Sequence, residues 1–239
     1  MYTKNFSKTI IRTFIIKTLN CIMYSFIDIH THSLEQKINT HAIYNIIIGQ
    51  TEETNKISSA GIHPWYIEEN YDLQLKKLNE LIVNDNIIAI GECGLDKLTH
   101  TEWSLQVTLF KHQINLAQQI NKPIIIHCVK AYQEILDILK SQKISVPVIF
   151  HGFNKQTQLA NSITKKGYYI SLGHSIIRGK QDELIKNVDL NKIFIETDDK
   201  STNLIEIYSY FCSVRNIELI DFQKQIKNNF QNIFNIKIT

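Results

Sequence analysis

Five short apolar runs in this chain end in residues of metal-ligating type, in order along the sequence. The run from Phe26 ends Asp28-Ile29-His30-Thr31-His32. In a strand, side chains two apart share a face, so His30 and His32 can grip one cation together. A lone HxH pair carries little weight. Later runs, however, end at Glu92, at His127, at His151 and at Glu196-Thr197-Asp198. Any one of these could be a polar residue closing a strand; five in succession are hard to explain that way. Together the imidazoles and carboxylates make a nitrogen–oxygen donor set suited to Zn, Mn, Co, Fe or Mg, and unlike a thiolate site.

Eight candidate strands must position these residues: Phe26–His30, Ile43–Ile48, Ser58–Ile62, Ile87–Gly91, Pro123–His127, Val146–Phe150, Tyr168–Leu172 and Ile193–Glu196. Several are nearly continuous apolar runs, as expected of parallel strands buried on both faces. Helical spacing of apolar residues over Leu73–Val83, Leu105–Ile120 and Tyr132–Leu139 fills the gaps between later strands. Strands alternating with helices predict an α/β fold, a TIM-like (β/α) barrel, whose strand C-termini converge on one rim where active sites of this fold lie. The first two connections, Ser33–Ala42 and Gly49–Ile57, are at or below the minimum of ~10–12 residues for a full crossover with its helix. The first one or two barrel helices are therefore expected to be shortened or missing.

The whole chain has 239 residues, 44% hydrophobic and 21% charged, a globular composition. No apolar run is long enough for a membrane span, and no obligate protein partner is evident. The formal charge of +3 gives no basic-groove argument for nucleic acid. Lys4, Lys8, Arg12 and Lys17 give residues 1–22 a charge of +4 without an acid, leaving −1 for the rest. We read 1–22 as a basic N-terminal extension without a clean signal-peptide pattern, and 23–239 as a single barrel domain. Cys21, Cys93, Cys128 and Cys212 form no CxxC pair and read as free thiols of a reducing, cytoplasmic compartment.

The motifs DIHTHS, GIHPW, IGECGLD, PIIIHC, VIFHGF and FIETDD, in that order, resemble the TatD deoxyribonuclease family of metal-dependent hydrolases, from Phe26 to the C-terminal NNFQNIF. The resemblance implies a DNase, often of 3′-exonuclease type, that uses water activated by two divalent metal ions, with DNA or another phosphodiester as substrate. By motif position it implies that His30 and His32 hold one metal and His127 and His151 the other. Glu92 would bridge them, Asp198 would ligate and deprotonate the attacking water, and His63 would lie near the substrate phosphate. The chain departs from the family pattern in its thinned first quarter, in FHGFNK, and in the short stretch Asp199–Asn203 after ETD.

Around this set, Asp28 and Glu196 are candidates to orient ligands. Lys97, Lys130, Asn154, Lys155 and His174 are candidates for the rim. Trp65 and Trp103 could stack on bases, against a competing role in packing. A phosphatase of the polymerase-and-histidinol-phosphatase type also opens with HxH[ST], but IGECGLD with ETD argues against it. Many amidohydrolases bridge their metals with a carbamylated lysine at the fourth strand, where this chain has Glu92. A non-catalytic metal- or nucleic-acid-binding relative would not require Glu92 and Asp198 together.

Overall fold

The computed structural model describes residues 25–35 and 39–238; the basic segment 1–22, with Cys21, lies outside them. Eight parallel strands hydrogen-bond in sequence order: β1 (Phe26–Thr31), β2 (Thr40–Ile47), β3 (Ser58–Gly61), β4 (Ile87–Asp96), β5 (Ile124–Val129), β6 (Val148–Phe150), β7 (Tyr169–Leu172) and β8 (Ile193–Ile195). The apolar runs are buried along most of their length. Ile87, Ala89 and Ile90 in β4 and Ile124, Ile125 and Ile126 in β5 are wholly inaccessible.

Helices follow from the third strand onward: α1 (Tyr71–Leu81), α2 (Trp103–Gln119), α3 (Tyr132–Ser141), α4 (Thr157–Thr164), α5 (Asp182–Asn187), α6 (Leu204–Arg215) and α7 (Leu219–Phe234). Among the described residues no helix joins β1 to β2 or β2 to β3, so the first two barrel helices are missing, as the loop lengths predict. No helix of the described residues is long and apolar enough to cross a membrane.

Strand β4 runs five residues further than its apolar run suggests, because two glycines let it press against β5. Gly91 (φ +133°) and Gly94 (φ +149°) adopt backbone conformations that side chains disfavour, and a Cβ at either would overlap backbone carbonyls of Ile125 or His127. The β4–β5 register shifts between Ile90 and Cys93. Glu92, expected just past the strand end, thus sits on an irregular turn of the strand itself.

The barrel closes between its first and last strands. Thr31 and Asp198 form an isolated parallel bridge. Asp198 N–H donates to the His30 carbonyl at 3.0 Å, and His32 N–H to the Asp198 carbonyl at 3.2 Å. Below that bridge the Tyr208 phenol of α6 fills the seam. It donates to Ile27 C=O at 2.9 Å and accepts from Ile27 N–H at 3.2 Å.

Candidate metal centre

At the C-terminal mouth of the barrel, five imidazoles from four elements surround one carboxylate. Glu92 is 3% exposed. Its Oε1 lies 2.7 Å from His151 Nε2, 2.8 Å from His127 Nδ1 and 3.2 Å from His63 Nε2. Its Oε2 lies 3.3 Å from His30 Nε2 and 3.6 Å from His32 Nε2. Asp198 stands on the far side of the HxH pair, with Oδ1 3.4 Å from His32 and 3.7 Å from His30. All seven residues singled out in the sequence therefore meet at one point.

The surrounding bonds fix which ring nitrogen faces inward. His127 presents Nε2 to Asp96 Oδ2 at 3.2 Å, and His151 presents Nδ1 to Glu196 Oε1 at 3.5 Å. A carboxylate behind an imidazole holds the proton on that side, leaving the opposite lone pair free for a cation. The freed atoms, His127 Nδ1 and His151 Nε2, are 3.4 Å apart and both face Glu92. His63 is arranged the other way. Its Nδ1 accepts the Trp65 N–H at 3.1 Å, so Nε2 carries the proton and is a donor toward the centre.

Charge follows from this crowding. Burial alone would raise the Glu92 carboxyl, but the charge of His151, the bonds from His127 and His151 and the nearby His30 ring hold it well below the carboxylate range. Burial opposes the charged form of His32 too, yet Asp198 and Glu92 lift it to about 9. Asp198 is pulled down against burial, by its bond to His32 and by the charges of His151 and His30. His63 is lowered, chiefly by burial.

In each of three groups the donor atoms lie within 4.8 Å of one another: His30, His32 and Glu92; His30, His151 and Asp198; His63, Glu92 and His127. Both ring nitrogens of His30 and Oε2 of Glu196 are buried without a hydrogen-bond partner, and His151 Nδ1 has only the long 3.5 Å approach of Glu196 Oε1. Such groups are costly to leave unsatisfied. A divalent cation would use the inward nitrogen of His30, so the donor set fits a metal.

Several supporting residues do not stand out in the sequence. Asn45 of β2 donates Nδ2–H to Glu92 Oε2 and accepts the Glu92 N–H through Oδ1, both at 3.0 Å. Its only sequence signal is an amide inside the apolar run AIYNII. Asp96 is the second; bonds from His127, Trp65 and Leu98 hold its carboxyl at about 2 against the upward pull of burial. Asp28 accepts Thr197 N–H at 3.0 Å and Thr197 O–H at 2.6 Å, tying β1 to the residue before Asp198. Glu196 accepts Gly152 N–H at 2.6 Å besides facing His151.

Other rim candidates are placed differently. Lys97 is paired with Glu134 and lies over the ring of Trp103, which packs half-buried against the core. Lys130, Asn154 and Lys155 are exposed, and His174 is bonded to Thr202.

The family described as TatD related DNase matches residues 26–235. An uncharacterized metal-dependent hydrolase of Buchnera aphidicola is 28% identical over 201 residues, 76% of this chain and 75% of that protein. The metal-dependent hydrolase YcfH of Escherichia coli is 24% identical over 203 residues, 77% of this chain and 76% of its own length. Among solved structures, the E. coli TatD homologue YJJV superposes with a TM-score of 0.77 at 20% identity, covering 89% of this chain and 98% of its own.

Proposed function

This chain belongs to the TatD-related DNase family of metal-dependent hydrolases, and from that premise we propose that it cleaves phosphodiester bonds in DNA, as an exonuclease, with two divalent cations. The observation that carries the reading is the convergence of His30, His32, His127, His151 and Asp198 on the buried carboxylate of Glu92. In this reading His30 and His32 would hold one cation and His127 and His151 the other, with Glu92 as the carboxylate shared between them. When bound, such a pair lowers the pKa of water from ~15.7 towards ~7 and neutralises charge on the phosphate.

The chain's own residues do the rest. Asp198 takes the proton from the attacking water. Its side chain is 32% exposed, the most open of the acidic groups at the centre, and it is held ionised by its histidine neighbours. His63 donates its Nε2–H to a non-bridging phosphate oxygen, since the Trp65 amide occupies Nδ1. Glu196 and Asp96 keep His151 and His127 in the tautomers that face the cations. Cys93, Cys128 and Cys212 are free thiols, which suits a cytoplasmic setting.

The test is cleavage of 3′-labelled single-stranded DNA by the purified full chain with Mg, Mn or Zn, beside Asp198→Asn. Metal-dependent release of the labelled 3′ nucleotide, abolished by the substitution, is expected. An inert wild type that still binds two ions per chain would refute DNA as the substrate and redirect the search to small phosphodiesters.

A further inference from the structure

Trp65 is a large apolar side chain left 53% exposed at the mouth of the centre. It is nevertheless held firmly. Its indole Nε1–H donates to Asp96 Oδ2 at 2.6 Å, the oxygen that also faces His127 Nε2 at 3.2 Å. The other Asp96 oxygen accepts the Leu98 N–H at 2.7 Å, and Leu98 is itself 62% exposed. One buried carboxylate thus anchors two exposed apolar residues and a histidine of the centre.

The ring contacts of the indole add direction. It meets His63 at 86° with centroids 5.0 Å apart, His127 at 75° and 5.7 Å, and Tyr66 at 68° and 6.3 Å. All three contacts are steeply inclined, so none of them stacks flat on the indole. A rigid aromatic surface next to groups that handle phosphate matches a nucleobase, whose flat face stacks on aromatic rings whatever its identity.

We propose that Trp65 is a base-stacking subsite, locked in place by Asp96, that seats the base of a nucleotide next to the scissile phosphate. The proposal rests on the reading that the substrate is nucleic acid. It makes Trp65 a specificity-determining residue and Asp96 a positioning residue shared by substrate site and metal centre.

Two measurements on the full chain test it. The first compares KM for an oligonucleotide with its tetrahydrofuran abasic analogue at the reacting nucleotides. Loss of the base is expected to raise KM about 5- to 150-fold in the wild type, the range of base–aromatic stacking. Trp65→Ala should erase that difference, while Trp65→Phe, which keeps a ring, should retain part of it. The second measures tryptophan fluorescence on titration with cleavage-resistant phosphorothioate oligonucleotides. Quenching should require a base and vanish in Trp65→Phe. If Trp65→Ala keeps the wild-type base-to-abasic ratio, or if basic and abasic strands quench alike, the subsite is refuted. If no strand is cleaved but base-dependent quenching persists, the nuclease reading falls and the subsite stands.

Discussion

Replacing Asn45 with alanine removes the clamp under the centre, and its cost can be worked from the geometry. Asn45 is 3% exposed. It makes two bonds to Glu92 at 3.0 Å and accepts the Ser59 hydroxyl at 3.3 Å. The two bonds to Glu92 net about 1 kcal/mol each, the longer Ser59 contact is left out of the sum, and stranding the buried Glu92 N–H adds about 1–3 kcal/mol. The substitution should therefore destabilise the metal-free protein by about 3–5 kcal/mol. For a barrel of this size that lowers Tm by about 6–20 °C, read by circular dichroism in chelator. Metal affinity should fall about 10- to 100-fold, as for other residues that orient a ligand, read by Mn titration calorimetry. Asn45→Asp keeps the shape and the acceptor but sets a second carboxylate beside Glu92, so it should not rescue the loss. A Tm within about 2 °C of wild type, with unchanged Mn affinity, would refute the clamp.

Three further outcomes follow from the same geometry. Gly94→Ala places a Cβ against the His127 carbonyl at φ +149°, and should cost about 3 kcal/mol or more from strain and overlap, seen as a lower urea midpoint. Tyr208→Phe strips Ile27 of both its bonds to the phenol, and should cost about 1–3 kcal/mol by the same assay; an unchanged midpoint would mean the seam does not depend on it. In the chelated protein, His32 is raised from 6.5 to about 9 and His127 and His151 are raised with it. The folded state then binds protons the unfolded state releases, so this stabilisation is complete below 6.5 and lost as pH rises through about 9. Over that window Tm should fall in chelator, whereas metal binding strengthens as its ligands shed protons. Parallel Tm–pH curves with and without Mn would contradict this.

Much of the barrel was readable because buried parallel strands write themselves as apolar runs and their ends carry the polar residues. The missing helices were equally plain, since 33–42 and 49–57 are too short to hold them. Local sequence carries less about what crosses between strands. Asn45 meets Glu92 across 47 positions, a pairing set by strand register and by the shift at Gly91. Asp96 sits inside GLD, where its type is visible; that it serves Trp65 and His127 at once depends on where β5 and the loop after β3 arrive. Asp28 is bonded to Thr197 because barrel closure brings β8 beside β1, a contact that no local pattern announces.

That closure has a consequence during synthesis. His30 and His32 emerge among the first residues of the barrel, and Asp198 only after the eighth strand is made. The proposed proton acceptor is itself half of the Thr31–Asp198 bridge, and its backbone amide and carbonyl complete the edge of β1. A growing chain that has folded seven strands holds the histidines and Glu92 but has no Asp198 facing them. On the proposed role of Asp198, hydrolysis would begin only once the barrel has been zipped shut. A cation held by His30 together with Asp198 would then keep it so, by an amount that grows with free metal concentration.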